Sequence, residues 1–168
     1  MICPPDRRVR YALLAASSAA AFLLATPMAP ASAAPVADLN CTITVDTDVH
    51  PGLTPQLRHI NSISGGLTGT ATCTGTVDGQ PVTGPGSFLD NTHLIGNCTQ
   101  ATGHGNFVLK IPTADGTKTV AGRFDFTFPA APPLTGDLTG TPTVIAADGD
   151  CFTTPITHTT TVLTVHVT

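Results

Sequence analysis

Downstream of residue 33 the chain carries six histidines (His50, His59, His93, His104, His158 and His166), four cysteines (Cys41, Cys73, Cys98 and Cys151) and ten aspartates, with no glutamate anywhere. These are the side chains with chemistry to offer. His93 and His104 are spaced to meet across a hairpin, giving two of the three or four ligands that zinc or copper wants. His158 and His166 share a strand parity but lie ~26 Å apart at strand rise, too far for one metal. No carboxylate stands at ligand spacing from any histidine, so all six read as solvated strand and loop residues. Asp148-Gly149-Asp150 has the alternation of a calcium-loop fragment. A full loop needs further oxygens and a bidentate acid, so the segment reads as a turn before Cys151.

Nucleophilic chemistry finds little support. The G-x-S-x-G elbow is absent, and Ser87, in Gly86-Ser87-Phe88, has no His-Asp pair near it in sequence, although triads assemble in space. Thiolate metal sites need close-set pairs such as C-x-x-C, whereas the gaps here are tens of residues. An even cysteine number in a small exported chain reads instead as two disulfides, each closing a loop that stabilises the fold by roughly 3–4 kcal/mol. Oxidised cysteines leave no free thiolate. We assign no catalytic, cofactor-binding or metal-ligating residue, and no cofactor is implied.

The export expectation comes from the N-terminus. Arg7, Arg8 and Arg10 form a positive region, residues 11–25 are apolar and uncharged, and Ala31-Ser32-Ala33 supplies small residues for cleavage. The apolar run is shorter than the ~20 residues of a membrane-spanning helix. Residues 1–33 therefore read as a secretory signal peptide and residues 34–168 as a single all-β domain, secreted and extracellular. Arg10 stands where a twin-arginine signal usually has an apolar residue, and Cys41 lies too far past the apolar run for a lipoprotein. Cys3 leaves with the leader.

Composition narrows the partners. Losing Asp6 and three arginines moves the formal charge from −4 to −6. The remaining basic residues, Arg58, Lys110, Lys118 and Arg123, are scattered, so nucleic-acid phosphates find no positive track. An anionic membrane surface repels such a chain, and no membrane insertion is expected after signal cleavage. Tryptophan is absent and the one tyrosine, Tyr11, belongs to the leader, so the flat amphipathic side chains of sugar-binding modules and strong interfaces are missing.

The elements that must position these residues are strands. Leu39, Cys41, Ile43 and Val45 alternate with Asn40, Thr42 and Thr44, after which Pro51-Gly52 and Pro55 are expected to break the strand. A second strand covers about residues 56–64 and ends at Gly65-Gly66. Residues 67–77 alternate most regularly, with Thr68, Thr70, Thr72, Thr74 and Thr76 on one face, and Asp78-Gly79 is a strong hairpin turn. Strands follow around 87–89, 93–98 and 106–111, and Asp115-Gly116 turns into residues 118–128. There Val120, Phe124, Phe126 and Phe128 share a face, marking the central core strand. Pro129 ends it, 134–140 and 143–146 resume the pattern, and 156–168 is a long Thr/Val-rich closing strand. Eight or nine such strands fit an antiparallel β-sandwich or flattened barrel.

Threonine fills 29 of the last 135 positions. The row 68–76, joined by Thr157, Thr159 and Thr161, has the residue type of an ice-binding face, but no fixed repeat puts strands in register. It reads as the wet face of strands. The hairpin also bears on the disulfides: if it runs on, Cys73 lies opposite about Gly84 and ~45 Å from Cys98, against the ~7 Å a bridge allows. Cys41–Cys73 with Cys98–Cys151, or Cys41–Cys98 with Cys73–Cys151, remain. The first closes the shorter loops.

Cys41-Thr42 opening a strand, Pro51-Gly52-Leu53-Thr54 at its turn, and Gly149-Asp150-Cys151 before a Thr-rich final strand resemble small four-cysteine, β-rich secreted proteins of actinobacteria. The resemblance implies a secreted disulfide-bonded β-domain from such a source and carries over no catalytic residue. The expected role is non-enzymatic: extracellular binding or association with the cell surface or envelope, with an unknown extracellular ligand or protein as partner. The alternatives are a secreted protease inhibitor, presenting a loop beside Cys98 or Cys151, and a small hydrolase, which requires a concave pocket gathering His and Asp.

Overall fold

The computed structural model describes residues 36–64 and 69–168. The expected leader and its expected cleavage site, within residues 1–35, and Gly65-Gly66, Leu67 and Thr68 lie outside the described residues. The rest is built from ten antiparallel strands: β1 (Ala37–Leu53), β2 (Arg58–Ser64), β3 (Gly69–Val77), β4 (Gln80–Pro81), β5 (Gly86–Gly96), β6 (Ala101–Thr113), β7 (Gly116–Phe128), β8 (Leu134–Gly136), β9 (Leu138–Ala147) and β10 (Ile156–Val167).

Of the two architectures the sequence allows, the structure takes the barrel. β1 pairs with β10 from Leu39↔Val167 to Leu53↔Ile156, so the first and last strands close the sheet on itself. β2 and β3 share one slot between β1 and β5. The early part of β1 pairs with β3 (Ala37↔Val77 to Thr44↔Thr70) and its later part with β2 (Thr47↔Ser64 to His50↔Asn61). β5 mirrors this, meeting β3 through Gly86–Phe88 and β2 through residues 91–96. Closure removes the open edges that an antiparallel sheet otherwise has to protect.

Alternation decides which side of each strand faces in. On β1, Leu39, Cys41, Ile43 and Val45 are buried while Asp38, Asn40, Thr42, Thr44 and Asp46 are exposed. β10 does the same with Leu163, Val165 and Val167 inward and Thr164 and His166 outward. Polar-out and apolar-in is the reverse of a lipid-facing barrel. The lower half is solid: Leu39, Ile43, Val77, Leu109, Ile111 and Val167 are fully buried. Phe88 and Phe107 stack at 6.2 Å across β5 and β6 and top this core.

Several expectations need correction. Pro51-Gly52 does not end the first strand, which runs on to Leu53, still held by β10 at Ile156. The segments expected at 87–89 and 93–98 join in one strand, β5, which ends at Gly96 and leaves Asn97 and Cys98 in the turn. Asp78 and Gly79 take the left-handed φ values of 54° and 75° that a tight hairpin demands. The hairpin pairs Thr76↔Pro81 and Val77↔Gln80, is interrupted at 82–85, and resumes in the same register with β5 from Ala71↔Gly86 to Gly69↔Phe88. Residues 118–128 do lie within one strand, β7, but a closed sheet has no central strand. Phe126 is only half-buried and Phe128 is exposed, while the fully buried phenylalanines are Phe88 and Phe107.

The disulfides are Cys41–Cys73 and Cys98–Cys151. Cys41 and Cys73 are direct register partners across β1 and β3, both inward. The pairings of β3 with β4 and with β5 keep one hairpin register that sets Cys73 level with Gly84, so the expected exclusion of Cys73–Cys98 holds together with its premise.

Candidate ligand-binding site

The two ends of the barrel differ. The short turns at 78–79 and 114–115 lie at the solid end. The connections at 54–57, 97–100, 129–133 and 148–155 all lie at the other, where the interior opens into a cavity of about 450 Å³. That volume is within the range of small-molecule sites.

Local chemistry holds the rim in shape. The Asn97 side-chain oxygen accepts from the amides of Thr99 and Gln100 at 2.9 and 3.0 Å, tightening the β5–β6 turn. The Cys98 amide donates to the Thr54 carbonyl, and the Cys98–Cys151 bridge ties this turn to the 148–155 loop. Within that loop the Asp150 carboxylate accepts from the amides of Phe152, Thr153 and Thr154 and from the Thr153 hydroxyl. These bonds, the Thr153 hydroxyl foremost, hold its carboxyl well below the usual range. Asp148 accepts from the Thr157 hydroxyl and from the amides of Thr157 and His158, which pushes its pKa down to about 2. Both aspartates of the calcium-like segment thus accept from backbone amides, Asp150 within the loop and Asp148 at the start of β10.

Inside, the walls are of two kinds. Among the described lining residues, the neighbouring strands β10, β1, β2 and β5 contribute every polar strand side chain: Thr159, Thr161, Thr47, Ser62, Asp90 and Thr92. Thr92 is buried and donates its hydroxyl to Asp90 at 3.1 Å. Opposite them, β7 presents Phe124, Phe126 and Phe128 in consecutive inward positions, with Leu134 and Leu138 beside them. Gly105 lets the two walls meet, because a Cβ there would overlap the Phe124 ring and crowd the Thr92 hydroxyl.

The expected candidate residues are distributed around this cavity rather than in it. His93 and His104 do meet across β5 and β6, with ring centroids 5.9 Å apart, but on the outer surface, where His93 Nδ1 bonds Asn61 at 2.7 Å. His158 pairs with Asp48 at 3.0 Å and His166 with Asp38 at 2.9 Å, both outside. The Asp48 bond, with the charges of Asp48, Asp46 and Asp148, raises the His158 pKa from 6.5. Ser87 also points outward from β5. Among the described residues no three His, Cys, Asp or Glu side chains converge to hold a metal. Thr70, Thr72 and Thr74 are exposed as expected, but Thr159 and Thr161 are not on a wet face; they line the cavity.

Sequence reasoning missed Asp90, Thr47 and Thr92. Asp90 and Thr92 share the inward parity of Phe88, a signal that joining 87–89 and 93–98 into one strand would have exposed. Comparison with known proteins returns no matching family model, curated protein or solved structure. The functional reading rests on the cavity.

Proposed function

We propose that this chain is an exported, non-enzymatic binding protein whose barrel takes a small, mainly apolar molecule through its open end. The observation that carries the reading is the cavity of about 450 Å³ above the Phe88–Phe107 floor, walled largely by apolar side chains. Antiparallel barrels of this size enclose single ligands in the same way. Export is supported by the leader-like first 33 residues and by two disulfides, which persist in oxidising compartments. The likeness to small secreted actinobacterial proteins agrees with it.

Titration with a neutral, environment-sensitive probe such as N-phenyl-1-naphthylamine tests the proposal. Saturable binding of one probe per barrel is the expected result. Leu94→Trp, which fills the upper cavity from β5, should abolish it while the melting temperature is kept. No saturable binding to the oxidised protein overturns the reading.

One observation favours the inhibitor alternative: Phe152 is 67% exposed next to the Cys98–Cys151 bridge. The loop curls around Asp150, however, whereas an inhibitor offers its protease an extended strand. Stoichiometric inhibition of a serine protease with an apolar specificity pocket would favour that alternative.

A further inference from the structure

We infer that the ligand is a short extended peptide with apolar side chains, which pairs its backbone with an uncovered edge of β9 and places alternate side chains in the cavity. The inference deepens the binding reading above and rests on it.

Closure is complete along the β1–β10 seam but not along β9. β8 meets β9 at Leu134↔Gly140 alone. Beyond that point residues 141–147 pair with β10 on one side and, among the described residues, with no strand on the other. No turn or loop backbone bond reaches this stretch either. Natural edges are commonly blunted with charge, yet the whole of β9, Leu138–Ala147, is uncharged. Val144 is 57% and Ile145 60% exposed. A row of N–H and C=O groups flanked by apolar side chains is met in full by another extended backbone.

The neighbouring cavity says which backbone. Pro142 and Val144 of this edge line the cavity together with Phe126 and Phe128 of β7. A strand laid on β9 has the same two-residue alternation, so every second side chain faces that apolar space. A lipid tail or a ring system would fill the cavity but leave the edge unmet. A second copy of β9 would meet the edge poorly. Pro142 lacks a donor, and Ile145 is the extra residue where the β9–β10 register shifts between Thr160 and Thr161, so two copies bring two prolines and two bulges into one seam. A regular peptide faces each irregularity once. The surplus of acidic over basic side chains in the chain favours a peptide with neutral or basic flanks.

The probe is a capped peptide with three valines alternating with two threonines between terminal lysines, titrated into the oxidised protein. One peptide should bind per barrel and displace N-phenyl-1-naphthylamine from the cavity. Two analogues separate backbone pairing from side-chain contact, one N-methylated at the valines and the other at the threonines. Alternate N–H groups of an extended strand point to opposite edges. One analogue should therefore lose at least about tenfold in affinity while the other stays within about threefold of the parent. Val144→Asp puts on the edge a charge that attracts the lysines, yet it should weaken the peptide at least about tenfold with the melting temperature kept. The analogues decide the matter on the wild-type chain even if that variant fails to fold. No saturable peptide binding, equal behaviour of the two analogues, or binding that leaves the probe in place overturns the inference while the neutral-probe result stands. So does concentration-dependent dimerisation without peptide binding, which would give the edge to a second copy. Loss of neutral-probe binding itself would instead overturn the binding reading.

Discussion

The solid and open ends of the barrel are made from the same strands, and they differ in which residues the alternation sends inward. On β1 the inward run Leu39, Cys41, Ile43, Val45 gives way to Thr47 and Val49. On β5 Phe88 is followed by Asp90 and Thr92, and on β10 Val167, Val165 and Leu163 are succeeded by Thr161 and Thr159. One end spends its interior on close packing and the other keeps a lined space. Close packing and open interior space are thereby separated along each strand, and substitutions at the two ends should behave differently.

The largest effect belongs to the floor. Phe88→Ala should cost roughly 3–5 kcal/mol, since the ring is fully buried against Phe107, whereas Phe126→Ala in the half-buried upper wall should cost about 1–2 kcal/mol. Denaturant melts giving equal losses would break the distinction between the ends. Replacing Cys98 and Cys151 together by serine should lower stability by about 2–4 kcal/mol and weaken probe binding as well, because that bridge ties two rim loops. Removing Cys41 and Cys73 should lower stability by a similar amount, and probe binding by the surviving folded fraction should be retained. Thr161→Val tests the polar wall itself. It should change stability by less than about 1 kcal/mol, as a near-isosteric loss of one hydroxyl.

The smallest effects are those of pH, and they read the outside of the barrel. His158 has a raised pKa in the fold, so its pairing with Asp48 is fully present below 6.5 and is lost as pH rises through the higher folded value. Thermal melts of wild type against His158→Gln should therefore converge above that window. Asp148 behaves oppositely: its contribution is present above 3.8 and is lost as pH falls toward about 2. Asp148→Asn should flatten the acid limb of the melting curve and leave the alkaline limb unchanged.

Much of this was legible in the sequence. The alternation of β1, the Asp78-Gly79 turn, the long Thr/Val closing strand and the two-disulfide framework depend on local periodicity and turn chemistry. Closure did not show, because the pairing of Leu39 with Val167 links residues at opposite ends of the chain and leaves no local mark. Nor did the interruption of the β3 hairpin at 82–85, where Val82 bridges to Thr113 and the Thr83 amide donates to Pro112, both on β6. The cavity was hidden by threonine, whose branched side chain suits a wet strand face and a half-polar interior equally. Thr159 and Thr161 cannot be told from Thr72 and Thr74 by type. Phe126 misled for the converse reason: its parity was read correctly, but inward in this barrel does not mean buried.

The pairing of β1 with β10 has a further implication. Those two strands stand side by side and antiparallel, with Ala37 and Val167 emerging together at the solid end. A short linker between them would simply add one more hairpin, so the ring of staves has no obligatory first member. A circular permutant opened at the 114–115 turn, also at the solid end, would leave every rim loop covalently intact. It would also free the order of synthesis from the order of the ring, letting β10 and β1 meet as sequence neighbours. In the natural order, that seam must wait until both strands have been made.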